Sequence, residues 1–533
     1  MSMAWIVGWF SGLLALHGMM AAEIVIPKRT PFVWHPFVVQ EEADIYLLNL
    51  FQRPLLQLEA DSSWGCRGCR TFERASESRP IRFNVVLAES WRWSDGKPVS
   101  VADFLLSWEI ANSMRKRNRV VASWQEIAAI TPSATEPARM ELQMARAVYP
   151  FHFLGALYLL PAHQEGPIWQ RCQKNVACYL GQSLFQSGAS SCVGTGPYRM
   201  QAVGEEVATL VPNPSALRKP NLAAIRILRG KVPKEGAIFW PETEFAPWGS
   251  QDIDLTGYKN STRIPLHTYA LTQVSFNLRS PLLRDIQVRK ALVAALDVEK
   301  FVGELGIPAV SFTHPADPFF SPPSPTPVAE EVPAKKKAPL TGVEKARLWL
   351  REANWKENKE GFFHKQDRKL TFELVVTSEL VSVAKRLQQE WRKIGVDVQV
   401  LVEKPGVFQQ DVLGNGQFSG AALYTLERIA NYSVAHLFDS SREPHAGQRN
   451  SGFNLFRWSS LRMDQWIFQF DRMLDEDDRD KSWDQLDTLL QEDIPLIPLY
   501  FHRGQAAATV NLRLGVLPPF VPTSMGVEGW TVQ

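Results

Sequence analysis

The stretch QVSFNLRSPLLRDIQVRKALVAALDVEKFV, Gln273 to Val302, decides how the rest of the chain is read. Val274 and Phe276 alternate with polar Ser275 and Asn277, the pattern of a short half-buried strand. Pro281 and Asp285 open a helix, one as a starter and one as a capping oxygen. Val288, Ala291, Leu292, Ala295 and Leu296 follow at helical spacing and make one apolar face. Arg289 and Lys290 fall off that stripe and are expected in water. Physics alone predicts a strand that feeds a core helix.

The order of residues says more. Phe276, Asn277, Pro281, Asp285, Val288, Arg289, Ala291, Leu292, Ala295 and Asp297 resemble the opening of the third domain in family 5 extracellular solute-binding proteins. This is the oligopeptide- and dipeptide-binding class. Further matches run in order along the chain. Arg82 to Trp108, RFNVVLAESWRWSDGKPVSVADFLLSW, has a strand, a Trp93-Ser94-Asp95-Gly96 turn and a helix start at Ser100. It resembles the family's W-x-DG-x-P turn and following helix, with Val101 as an extra residue. GTGPY from Gly194 lacks the Lys and Ser or Thr of a phosphate loop. It reads as a tight turn whose glycines admit close backbone approach. Gly342 to Trp355 resembles the family's EKA helix, with Asn354 where the family has Gly. Asn tolerates the left-handed cap better than other non-glycines. Leu380, Ala384, Leu387, Trp391 and Ile394 form one helix face, with Ser378 as a possible cap and Gly395 as the stop. Val396, Val398, Val400 and Val402 then alternate as a strand.

The resemblance implies an α/β fold of the two-lobed periplasmic binding protein type, with three domains and a discontinuous first lobe. Domain I is expected from 23–46, 185–270 and 497–533, domain II from 47–184 and domain III from 271–496. A proline-rich surface loop at 314–340 belongs to the last. Ile253-Asp254-Leu255 stands where the family has a further strand. His163 reads as a structural turn residue rather than a ligand.

Three residues are the candidate ligand-binding set. Trp34-His35-Pro36 stands where the family has an L-D-P segment, and Trp34 reads equally as core or as ligand-facing. Tyr424 and Glu427 have the spacing of the family's W-x-x-D, whose Asp anchors the peptide amino group. The resemblance therefore implies that Glu427 holds a cationic group in a closed cleft, where a lone charge needs a partner. A solvated Glu beside a core Tyr is the plainer alternative.

Composition sets the bounds. At 533 residues, two or three domains are expected. A net charge of +2 offers no electrostatic case for nucleic acid. Eighteen Trp can line a cleft as well as fill a core. Met3 to Leu16 is apolar and Ala21-Ala22 offers a cleavage site, so 1–22 reads as a signal peptide, with an uncleaved anchor as the alternative. The expected location is the periplasm. Of five Cys, Cys66 and Cys69 suit a small stapled loop, and Cys172 can pair with Cys178 or Cys192.

No catalytic residue is expected. No G-x-S-x-G motif is present, and His436 and His445 stand too far apart for a zinc protease. No cofactor and no resident metal are called for. The resemblance implies a monomer that binds a short peptide or other small solute and serves an ABC permease. Carriage of a metal chelate, in which His436 and His445 would matter, is an alternative. A non-transport sensor or scaffold is another.

Overall fold

The computed structural model describes residues 23–28, 32–38, 42–59, 63–76, 80–115, 122–145, 149, 151–185, 192–229, 234–241, 258, 261–266, 269–315, 341–428, 434–444, 454–473, 475–515 and 521–532. The expected signal segment, Ile253–Leu255 and most of the proline-rich stretch lie outside these residues. No described helix is long and apolar enough to cross a membrane.

The first lobe holds two four-stranded sheets over one core. In one, Glu23–Lys28 runs parallel to Ala224–Arg229, followed by Val207–Pro212 and Tyr198–Val203. In the other, the order is Cys69–Ser76, Arg82–Leu87, Arg139–Met144 and Ile127–Pro132, all antiparallel. The alternation of Phe83, Val85 and Leu87 puts these side chains in the shared core. Helix Glu42–Phe51 adds Tyr46, Leu47, Leu50 and Phe51 to it.

Two turns stitch this lobe. Gly96 takes φ +86°, as the Trp93–Gly96 turn requires. The backbone N–H and hydroxyl of Ser100 donate to Asp103 Oδ2 at 2.7 and 3.0 Å, where helix Val101–Arg115 begins. Asp103 Oδ1 accepts from Ala162 N at 2.6 Å, and burial raises its pKa. His163 beside it lies in the first turn of helix Ala162–Arg171 and not in a turn, and its ring pairs with Asp95 Oδ2 at 2.7 Å. The GTGPY turn seats against the end of helix Glu42–Phe51. A Cβ on Gly194 would lie 1.9 Å from the Phe51 carbonyl oxygen, and one on Gly196 would lie 2.5 Å from the Phe51 carbonyl carbon. Close backbone approach is thus the reason for both glycines.

The second lobe is organised on a six-stranded sheet. Its order is Ile307–Pro308, Leu496–Phe501, Tyr269–Phe276, Ala421–Arg428, Thr371–Thr377 and Asp397–Glu403. Thr371–Thr377 and Asp397–Glu403 are parallel and joined by helix Val381–Lys393, which buries Val383, Ala384, Leu387 and Trp391. Gly395 stops it at φ +76°, and Asn354 takes φ +64° after helix Gly342–Glu352. Ser378 does not cap the long helix: it begins a separate 3-10 turn, Ser378–Leu380. The strand that opened the sequence reading is not half-buried. It is a central strand, and Gln273, Val274, Ser275 and Phe276 are all fully buried.

Helix Ile286–Ala294 starts at Asp285, whose side chain accepts from Gln287 N. One expectation fails here. Arg289 is not in water but 5 % exposed. Its guanidinium donates to the carbonyls of Leu283 and Asp493, the latter at the C-terminal end of helix Glu476–Asp493. Helix ends leave carbonyls without intrahelical donors, and Arg289 supplies one from a neighbouring element. Burial lowers its pKa to about 10, so it stays charged at neutral pH.

Cys66 pairs with Cys69 and Cys172 with Cys178, leaving Cys192 free and buried. Of the two partners open to Cys172 in the sequence, the near one in the chain is used.

Candidate ligand cleft at the lobe crossing

The chain passes between the lobes twice, side by side. Thr262–Leu266 pairs with Gly504–Ala508 in a three-stranded sheet completed by Phe239–Trp240. A few residues further along, Tyr269–Phe276 pairs with Leu496–Phe501 in the six-stranded sheet. The outward passage lies between Leu266 and Tyr269, and the return lies between Phe501 and Gly504. Leu496–Phe501 is therefore paired within the second lobe. Two short connections between strands that pair on either side are what a hinge needs, with no other covalent connection between the lobes among the described residues.

His502 sits in the return passage. Its N–H donates to Ala270 O at 2.8 Å, across the two strands. Its Nε2 lies 2.8 Å from Thr272 Oγ1 and 3.3 Å from Thr425 Oγ1, and these two hydroxyls are 2.8 Å apart. Burial lowers the His502 pKa to about 4, so the imidazole is neutral at ordinary pH. A second polar set lies one residue along. Gln273 Nε2 donates to Tyr424 Oη at 2.9 Å, and Ser275 Oγ donates to it at 3.1 Å. Gln273 Oε1 is buried and has no partner among the described residues. An unpaired buried acceptor is costly, so this oxygen is a point where a donor from outside the described residues would be favoured.

The three candidate residues fall in different surroundings. Tyr424 is 4 % exposed and packs with Val375, Phe408, Val412, Phe418 and Leu455 beside the crossing strand. Burial raises its phenol pKa, opposed by the two hydrogen bonds. Glu427 is in strand Ala421–Arg428 opposite Ala270, and its side chain lies outside the described residues. Trp34 is in the first lobe, 3 % exposed, with its ring edge-on to Phe51 at 5.6 Å. Its indole Nε1 is buried with no partner among the described residues. His35 beside it is also buried. Nδ1 accepts from Phe37 N at 3.1 Å, Nε2 lies 3.2 Å from Tyr179 Oη, and burial lowers its pKa to about 3. The sequence reading missed Thr272, Gln273, Ser275 and His502. The available signal was three polar residues in a strand whose neighbours are strongly apolar.

A cavity of about 530 Å³ opens beside this sheet. Glu373, Glu403, Asp411, Asn277, Phe418 and Arg457 are among its lining residues. His436 lies in the short helix Ala435–Phe438, and His445 lies outside the described residues. Among the described residues no group of three or more His, Cys, Asp or Glu is placed to hold a metal.

Comparison with known proteins agrees with this architecture. Residues 81–424 match the family described as bacterial extracellular solute-binding proteins, family 5, middle. The chain is 20% identical over 448 residues to the oligopeptide-binding protein AppA of Bacillus subtilis, covering 81% of this chain and 78% of that protein. It is 22% identical over 462 residues to the probable deoxycholate-binding periplasmic protein YgiS of Escherichia coli, covering 79% and 77%. In structure it resembles AppA from Bacillus subtilis in complex with a nonapeptide, with TM-score 0.64, 16% identity and coverage of 96% and 99%. It also resembles NikZ from Campylobacter jejuni in complex with Ni(L-His), with TM-score 0.67, 19% identity and the same coverage. Two lobes joined by a double crossing, and a family match over most of the chain, lead to one conclusion: this chain belongs to the bacterial extracellular solute-binding proteins, family 5.

Proposed function

We propose that this protein is the periplasmic substrate-binding component of an ABC importer, which captures an oligopeptide or dipeptide between its lobes and delivers it to a membrane permease. The observation that carries the reading is the paired crossing at Leu266–Tyr269 and Phe501–Gly504. It gives two bodies a common pivot, which a protein that encloses a solute and releases it needs. A peptide is favoured as cargo because AppA, named as oligopeptide-binding, is similar over most of its length and its structure holds a nonapeptide. Peptides suit such a cleft because their backbone groups can be met by strand-like hydrogen bonds whatever the side chains.

In this reading Glu427 anchors the peptide amino group, Tyr424 shapes the floor beside it, and Trp34 faces the ligand from the first lobe. With Tyr269–Phe276 and Leu496–Phe501 paired in the second-lobe sheet, the expected bounds move to 23–46, 185–266 and 504–533 for domain I, 47–184 for domain II and 269–501 for domain III. A chelate or other small solute is the second reading, favoured by the similarity to NikZ with its nickel–histidine complex. Titration calorimetry with trialanine and N-acetyl-trialanine tests the anchor. Glu427→Gln is expected to weaken the free-amine peptide at least tenfold and leave the acetylated one unchanged. Equal binding of trialanine by parent and variant removes Glu427 from the site.

A further inference from the structure

The lobes also meet away from the crossing strands. Tyr149 follows strand Arg139–Met144 of the first lobe and is 4 % exposed. Its backbone N–H donates to the carbonyl of Asp471 at 2.5 Å. Asp471 is the C-cap of helix Leu461–Phe470 in the second lobe. The Arg479 guanidinium, on helix Glu476–Asp493, lies 3.8 Å from the centre of the Tyr149 ring and 3.9 Å from that of Phe470. Arg479 is 6 % exposed and donates to Phe470 O at 2.6 Å.

The chemistry explains the meeting point. A helix C-terminus carries carbonyls without intrahelical donors and a partial negative charge. Arg479 serves the end of helix Leu461–Phe470 from within its own lobe, and the Tyr149 N–H serves the next carbonyl from across the gap. The guanidinium then lies over both the Tyr149 and the Phe470 ring. Desolvated, such a contact is stronger than at an exposed surface. Each side is backed by further rings. Phe151 lies 5.1 Å from Tyr149 and contacts Phe72 and Phe83 in the first lobe. Trp466 and Trp483 lie 4.7 and 5.1 Å from Phe470 in the second.

We propose that Tyr149 and Arg479 form a clasp between the lobes that sets how much of this protein is closed. They are positioning residues for capture: they act on the lobe equilibrium, and a ligand that favours the closed form gains or loses affinity through it. The inference goes beyond the transport reading. It concerns closure and not cargo, so it can fail while peptide capture stands.

The test uses the full-length protein without added solute. Small-angle scattering and inter-lobe distance measurement between spin labels at Glu73 and Lys385 report the closed fraction. Tyr149→Ala is expected to lower the closed-to-open ratio roughly tenfold. Arg479→Met keeps the apolar stem but also loses the bond to Phe470 O within its own lobe, so it serves only in a double-mutant cycle. The clasp predicts that Arg479→Met shifts the closed fraction in the parent and adds little once Tyr149 is Ala. Distances unchanged in Tyr149→Ala, or fully additive effects in the double variant, overturn the proposal.

Discussion

Arg289 offers the sharpest test of how the second lobe is held. The perturbation is Arg289→Met, which keeps the stem and removes the guanidinium. Three donated hydrogen bonds are lost, two to Asp493 O and one to Leu283 O. Both carbonyls are then left without the donors that Arg289 supplied. A buried polar group that loses its partner costs roughly 1–3 kcal/mol. Removing a buried charge gives part of that back, because burial itself holds the pKa down to about 10. The expected net loss is about 2–3 kcal/mol, large against the 5–15 kcal/mol typical of a domain. Arg289→Lys is expected to lose less, because an ammonium can still reach one carbonyl but cannot fork to two. The assay is urea unfolding followed by tryptophan fluorescence. Trp391 and Trp458 are buried in this lobe, and Trp458 Nε1 donates to Asp493 Oδ2 at 3.0 Å. Unfolding midpoints that match the parent for both variants, with unchanged slopes, would falsify the capping role assigned to Arg289.

Other contacts carry further expected outcomes. His502 and His35 have folded pKa values lowered from 6.5 to about 4 and about 3 by burial. Above 6.5 both states are neutral, and as pH falls below it only the unfolded chain takes up the protons. Stability is therefore lost from about pH 6.5 down to about 4 for His502 and about 3 for His35, with a limiting slope near 1.4 kcal/mol per pH unit for each histidine. His502→Gln should flatten this loss in thermal melts at pH 4.5–6.5, and an unchanged slope would count against a neutral buried His502. Opening Cys172–Cys178 by paired substitution to Ser should cost about 2 kcal/mol, the chain-entropy value for so short a loop. An equal melting temperature in oxidised parent and variant would refute that. Gly196→Ala should cost roughly 1–3 kcal/mol, because its Cβ would meet backbone at 2.5 and 2.6 Å. A variant as stable as the parent to urea would show that the turn yields freely.

Much of the fold was legible because its signals are local. Alternation placed Phe83, Val85 and Leu87 in a core strand, and Asn354 and Gly395 at left-handed positions that only a few residues accept. The glycines of GTGPY announced close approach, although nothing in the sequence could say that the neighbour is Phe51. What was not legible depends on partners far away in the chain. Arg289 looked solvated because its carbonyl partner, Asp493, lies in a distant helix. Ser275 looked like the wet side of a strand because its partners, the Tyr424 hydroxyl and the neighbouring strands at Ala422 and Leu496, arrive from beyond position 400. The candidate site was read through Tyr424 and Glu427, whose spacing is local. Thr272 meets His502, and Gln273 meets Tyr424, only because strands far apart in the chain lie side by side, and no window of sequence contains those pairings.

Capture of peptides between the lobes shows directly in what the protein carries. Native mass spectrometry of the protein purified from its own host, followed by denaturation to release what it carries, addresses it most directly. A peptide carrier releases a heterogeneous set of short peptides, bound one per chain. A single metal chelate or other small molecule, or an empty protein whose melting temperature no peptide library shifts, would contradict it.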